Sequence, residues 1–154
     1  MIEVDIPGYK HLKIDHVVFD VNGTLAVGGE LIEGVAPLIQ TLRQQVDVHL
    51  LTADTHGKQK TIDRQLDLTA HIIQRGAVEK AEVVAQLGAE TVVAIGNGAI
   101  DSLMCEVAAL SIAVIGGEGA AVRLLTSTDV VVTDIRDALN LLLQPNRLRA
   151  TLRR

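Results

Sequence analysis

The run Val17-Val18-Phe19 is apolar at every position and stops at Asp20. It is too short for a helix, and a strand apolar on both faces belongs in a parallel sheet that helices cover on both sides. Asn22-Gly23 follows, a pair that turns the chain and tolerates positive φ. An ionisable side chain therefore sits at the carboxyl end of a buried strand, the rim at which open α/β sheets bind ligands. The composition suits such a core. Hydrophobic residues make up 48% of the 154 and aromatic ones 1%, so Val, Leu, Ile and Ala must fill it.

The same alternation of short apolar runs and helical spacing continues along the chain. Ile2, Val4 and Ile6 alternate with Glu3 and Asp5, Pro7-Gly8 turns, and Leu12 and Ile14 alternate again. Residues 1–15 thus read as an amino-terminal β-hairpin on an edge or end of the sheet. After a Gly28-Gly29 loop, Val35, Leu38, Ile39 and Leu42 have the spacing of a helix facing the core. Further strands are expected at 46–51, 71–73, 91–95, 112–115 and 130–132. The helix with Lys58, Lys60 and Arg64 offers only Ile62 and Leu66 to the core and should be peripheral. Gly88 should close a helix over 77–87, and Asp134 should cap the one carrying Ile135, Leu139 and Leu142. Right-handed crossovers stack these elements into a three-layer, doubly wound, Rossmann-like α/β domain with a mostly parallel sheet. Its parts are the hairpin (1–15), a core (16–143) and a basic tail (144–154). Arg147, Arg149, Arg153 and Arg154 in that tail read as a solvated, loosely packed end, or as a contact for an anionic partner.

Composition also excludes classes. A net charge of −5 argues against nucleic acid as a partner, and so few aromatics leave no base-stacking platform. Cys105 stands alone, which rules out an intramolecular disulfide, and its place on an apolar helix face reads as core. No apolar run approaches membrane-spanning length and no signal segment opens the chain. The expectation is a cytoplasmic protein with no membrane contact. Gly96-x-Gly98 and Gly117-x-Gly119 each lack the rest of a dinucleotide-binding fingerprint.

The segment Asp20-Val21-Asn22-Gly23-Thr24 resembles Asp-x-Asp-Gly-Thr, the first motif of the haloacid dehalogenase superfamily of aspartate-dependent phosphohydrolases and phosphotransferases, with Asn22 in place of the second Asp. Three more segments follow in the family's order. Thr52, ending the second core strand, resembles the second motif, and Lys80 in Val-Glu-Lys-Ala-Glu-Val-Val the third. Asp101 in Gly-Asn-Gly-Ala-Ile-Asp resembles the fourth, with Asn97 replacing its first acid. Leu-Leu-Thr-Ala-Asp and the Gly-x-Gly-x-x-Asp stretch are similar to the phosphorylation domain of P-type ATPases. The chain looks most similar to the capless proteins grouped as soluble P-type ATPases, over about residues 17–142. Any one motif is weak, but four in order on the right elements are strong.

The resemblance implies a Mg²⁺-dependent hydrolase or phosphotransferase that forms an aspartyl-phosphate on Asp20. It implies that Asp20, the backbone carbonyl of Asn22, Asn97 and Asp101 hold the metal. It also implies that Gly23, Thr24, Thr52, Ala53 and Lys80 surround the phosphoryl group. These residue types suit the chemistry, because a carboxylate attacks phosphorus only when its repulsion from the phosphate oxygens is offset. Asn22 cannot titrate, and the acid–base contribution it forgoes is typically of order 10²–10⁴ in rate. A slow phosphatase follows, or a phosphotransferase that favours good leaving groups such as acyl or aryl phosphates. The rival is a phosphate-binding or regulatory module that keeps the fold without turnover. The intervals from Asp20 to Thr52 and from Thr52 to Lys80 leave no room for a cap domain, a nucleotide-binding insert is missing, and ion pumping is excluded. The partner is then a phosphorylated small molecule or macromolecule, and a neighbouring subunit in a homo-oligomer is a further expectation. Asp54 reads equally as a helix cap or a ligand contact, and His56 as an exposed residue at a helix start or a group reaching substrate from the rim.

Overall fold

The structure is a computed structural model that describes residues 1–54 and 57–154. Alternating polarity folds Ile2–Ile6 (β1) and Lys10–Ile14 (β2) into an antiparallel hairpin. Its Ile2, Val4, Ile6, Leu12 and Ile14 side chains are buried in the main core, while Glu3, Asp5, His11 and Lys13 face solvent. The hairpin is a sheet of its own, not a continuation of the large one.

His16–Asp20 (β3) starts the large sheet. Next, Ala26–Val27 (β4) and Glu30–Leu31 (β5) form a very short hairpin. The expected Gly28-Gly29 loop is its two-residue turn: φ is 60° and 82°, positive at both positions as a tight hairpin of this hand requires. Val35–Leu42 (α1) leads to Asp47–Thr52 (β6), Gln59–Leu66 (α2) to His71–Ile72 (β7), and Ala77–Leu87 (α3) to Val92–Gly96 (β8). Ser102–Val107 (α4), Leu110–Val114 (β9), Val122–Leu125 (α5), Val130–Val132 (β10), Ile135–Leu143 (α6) and Pro145–Leu152 (α7) complete the chain. Gly88 ends α3 at φ 91°, and the Asp134 carboxylate accepts the Arg136 N–H at the start of α6, both as the sequence predicts.

The six strands of the large sheet are parallel, in the order β10-β9-β8-β3-β6-β7. From β3 the chain winds outward to β7, crosses back to β8 on the other side of β3, and winds outward again. The carboxyl ends of β3 and β8 are therefore where the winding reverses, and ligands of such sheets bind in the crevice this opens. Val17 and Phe19 of β3 pack with Val35, Ile39 and Leu42 of α1 and with Ile135 and Leu139 of α6. Val18 packs on the opposite face with Val84 of α3 and Met104 and Cys105 of α4. Ile62 and Leu66 are the apolar anchors of α2. No cap domain interrupts the described residues, and none of their helices is long and apolar enough to cross a membrane.

The tail departs from expectation. It forms α7, with Pro145 in the first turn, where its missing N–H costs nothing. Leu148 is buried in the main core and Leu152 packs at its border. Arg149 Nε donates to the Asp5 carbonyl at 2.8 Å, and the Arg154 N–H donates to the Pro7 carbonyl at 2.9 Å. Four arginines dominate the composition of this stretch and conceal two leucines at helical spacing, which the outer side of β1 needs for cover. Leu148→Ala should therefore destabilise the fold by about 2–4 kcal/mol in denaturant melts. A loosely packed end would leave the midpoint unchanged.

Candidate active site

β3 delivers Asp20 to the mouth of the crevice, and a tight turn follows. The Val21 carbonyl accepts N–H groups from Thr24, Leu25 and Ala26 at 3.2, 2.9 and 3.0 Å, and the Gly23 N–H donates to the Ala26 carbonyl at 2.7 Å. Gly23 has φ 86°, and a Cβ on it would collide with the Asn97 amide, so conformation and space both demand glycine. Thr24 is fully buried behind the carboxylate. Its Oγ1 lies 3.0 Å from Asp20 Oδ2 and 3.2 Å from Asn97 Oδ1, and its single proton serves one of them at a time.

Thr52 ends β6, and its Oγ1 accepts the Asp54 N–H at 2.9 Å and the Asn22 Nδ2–H at 3.1 Å. Asp54, at φ 53°, turns its own carboxylate to accept the Gln59 N–H at 3.1 Å, so it serves as a cap for α2. His56 lies outside the described residues.

Lys80 comes from the first turns of α3. The neighbouring Glu79 accepts the Gln74 N–H, a His71 ring nitrogen and the Arg75 N–H, which hold its carboxyl down to about 2 and tie the preceding loop to the helix. Lys80 itself is turned inward and is 2% exposed. Its Nζ donates to Asp20 Oδ1 and to Asp101 Oδ1, both at 2.7 Å. Asp101 is fully buried, and its other oxygen accepts the Asn97 and Gly98 N–H groups at 3.1 and 3.0 Å. A Cβ on Gly96 would come within 2.5 Å of that oxygen. Asn97 Nδ2 donates to the Gly119 carbonyl at 3.1 Å, tying the loop after β9 to the site.

These groups line a cleft of about 210 Å³. Asp20, Asn22, Thr52, Ala53, Lys80, Asn97 and Asp101 are on its wall, together with Ile73, Gly98 and Ile100. The sequence reading missed the last three. Nothing local marks Ile73 or Ile100, whereas Gly98 lies inside the fourth motif. Gly23 and Thr24 sit behind the others. They are not on the cleft wall, because Thr24 spends its hydroxyl on Asp20 and Asn97, and Gly23 is pressed against Asn97. Cys105 is buried as expected, and burial pushes its thiol up, away from a reactive thiolate.

Two carboxylates and one ammonium, all buried, leave a surplus negative charge. Burial and the Asp101 charge push Asp20 up to about 7 against the pull of Lys80 and Thr24. Burial would lower Lys80, but Asp20 and Asp101 outweigh it and hold the ammonium above its ordinary value. Among the described residues no three His, Cys, Asp or Glu side chains are grouped to hold a metal. The available donors are nonetheless all oxygen: two carboxylates, the Asn97 amide and the Asn22 carbonyl. That set, with its uncompensated charge, fits a hard divalent cation of the kind that takes few protein ligands and shares the rest with phosphate and water.

No protein-family model matches the chain. It is 46% identical over 80 residues to an uncharacterized protein of Methanocaldococcus jannaschii, a match covering 49% of this chain and 86% of that protein. It is also 35% identical over 121 residues to the probable copper-exporting P-type ATPase of Archaeoglobus fulgidus, covering 76% of this chain and 15% of the ATPase. Among solved structures, the cobalt-bound deoxy-D-mannose-octulosonate 8-phosphate phosphatase of Haemophilus influenzae superposes with a TM-score of 0.70 at 18% identity, over 86% of this chain and 88% of that one. The 3-deoxy-D-manno-octulosonate 8-phosphate phosphatase of Moraxella catarrhalis, solved with magnesium and phosphate ions, gives 0.67 at 19% identity, over 89% and 90%. The chain shares the fold of these phosphatases, and it belongs to one family with the Methanocaldococcus protein.

Replacing Lys80 by Met leaves two buried carboxylates without a counter-charge. The expected loss is about 3–5 kcal/mol at about pH 8. A carboxyl raised above its unfolded value favours the folded state when protonated, and without Lys80 to pull it down Asp20 is raised further, so the variant should regain stability as pH falls from about 8 toward 5. Denaturant melts at the two ends of that range check this. An equal loss at both would mean that packing, not charge, is responsible.

Proposed function

We propose that the chain is a Mg²⁺-dependent phosphohydrolase or phosphotransferase acting through an aspartyl-phosphate on Asp20. The observation that carries this reading is the convergence of Asp20, Lys80, Asp101 and Thr52 on one small cleft at the reversal point of the sheet. Asp20 attacks the phosphorus of a bound phosphomonoester or acyl phosphate, and the bond to the leaving oxygen breaks as the new P–O bond forms. Lys80 donates to the transferring oxygens and offsets their charge, and Thr52 donates from the opposite wall. A Mg²⁺ ion held by Asp20, the Asn22 carbonyl, Asn97 and Asp101 would add charge neutralisation between nucleophile and phosphate. Water then cleaves the aspartyl-phosphate, or an acceptor takes the phosphoryl group.

Asn22 neither protonates the leaving oxygen nor deprotonates the attacking water. Substrates whose leaving group needs no proton, acyl or aryl phosphates, should therefore be preferred, and the aspartyl-phosphate should persist. Likeness to a P-type ATPase over 76% of this chain supports a long-lived phosphorylated state. The open cleft admits a phosphorylated small molecule or macromolecule, with a second subunit as a cover, and the cytoplasm is the compartment we assign. A second reading, a phosphate-binding or regulatory module, draws on Asn22 and Asn97 standing where the family has acids.

A panel of aryl, acyl and sugar phosphates assayed with Mg²⁺ separates the two. Asp20→Asn should abolish turnover and covalent labelling by phosphate. Activity that survives it removes the mechanism, and phosphate binding with no turnover anywhere favours the module. Asn22→Asp should speed breakdown of the aspartyl-phosphate by at least about tenfold in single-turnover decay, since it restores a group that can exchange protons. An unchanged decay rate would refute the role given to Asn22.

A further inference from the structure

Asn22 is the departure from the first motif, yet its side chain is engaged. Its Nδ2 lies 3.1 Å from Thr52 Oγ1, and the same oxygen accepts the Asp54 backbone N–H at 2.9 Å. A threonine hydroxyl has two acceptor lone pairs and one proton. With one lone pair taken by Asn22 and the other by Asp54, the proton must point away from both. Thr52 is 1% exposed and lines the cleft, so the cleft is the side left to that proton. We propose that Asn22 is a positioning residue: by donating to Thr52 it obliges Thr52 to donate in turn to a phosphoryl oxygen. The role rests on the reading of this cleft as a phosphoryl site.

An aspartate in the same place would reverse the bond. Ionised, it has no proton to give and accepts the one Thr52 holds, turning the hydroxyl away from the phosphate. Asparagine here is thus a donor in its own right as well as the loss of an acid–base group. It strengthens the hold on phosphate at the expense of proton transfer, consistent with a site that keeps its phosphoryl group for long.

Calorimetric titration of the whole chain with inorganic phosphate, at fixed Mg²⁺, tests this as a double-mutant cycle. Asn22→Ala should weaken phosphate binding about tenfold, the effect of one lost hydrogen bond to an anion site. Thr52→Val should weaken it at least as much. The double variant should bind no worse than Thr52→Val alone, because Asn22 acts only through that hydroxyl. Asn22→Leu, close in shape but without a donor, repeats the cycle should the alanine variant fail to fold, which thermal melts reveal. If the unaltered protein binds no phosphate, the phosphoryl reading of the site fails. If it binds and Asn22→Ala binds as well or better, or loses as much in the Thr52→Val background, the positioning role is overturned and the site stands.

Discussion

The structure depends on one ammonium group between two buried carboxylates. Lys80 reaches Asp20 and Asp101 at 2.7 Å each, and the two pairs join residues 60 and 21 positions apart in the chain. Through them the start of α3 and the turn before α4 are held against the carboxyl end of β3. Such a cluster is costly to bury, and removing its cation would leave two like charges in a medium that screens them poorly. Its arrangement is better explained by chemistry than by stability. Burial and the neighbouring Asp101 charge raise Asp20, and a divalent cation on these oxygens would favour its ionised form.

The site is small because two turns approach each other without side chains between them. Gly23 lies against Asn97 and Gly96 against the Asp101 carboxylate, each too close for a Cβ. Asp101 spends one oxygen on two backbone N–H groups, which fixes its ring of contacts and leaves the other oxygen for Lys80. Two asparagines at the site donate through their side-chain N–H groups: Asn22 toward Thr52, and Asn97 toward the Gly119 carbonyl. A carboxylate at position 97 would set oxygen against oxygen at that carbonyl.

Much of this was legible in the chain. Buried strands such as Val17-Val18-Phe19 are apolar on both faces whatever their neighbours, and Gly88 and Asp134 mark helix ends by chemistry that is local. The amino-terminal hairpin follows from strict alternation alone. The carboxyl-terminal helix was not legible, because the four arginines of residues 144–154 outweigh Leu148 in any local reading and only the packing of this helix beside β1 makes that leucine necessary. Ile73 and Ile100 are aliphatic residues like many others until the fold puts them on the cleft wall.

The sequence by itself determined the strand–helix alternation, the parallel core and the order of the four motif residues, since each depends on polarity and turn chemistry within a few residues. Which side of each group faces the cleft was decided only in three dimensions. That Lys80 is swallowed rather than solvated, that Thr24 stands behind Asp20 rather than before it, and that Asn22 donates to Thr52 all depend on distances between segments far apart in the chain. The physical reason is that hydrogen-bond direction and burial are properties of a packed neighbourhood, and no single stretch of chain contains one.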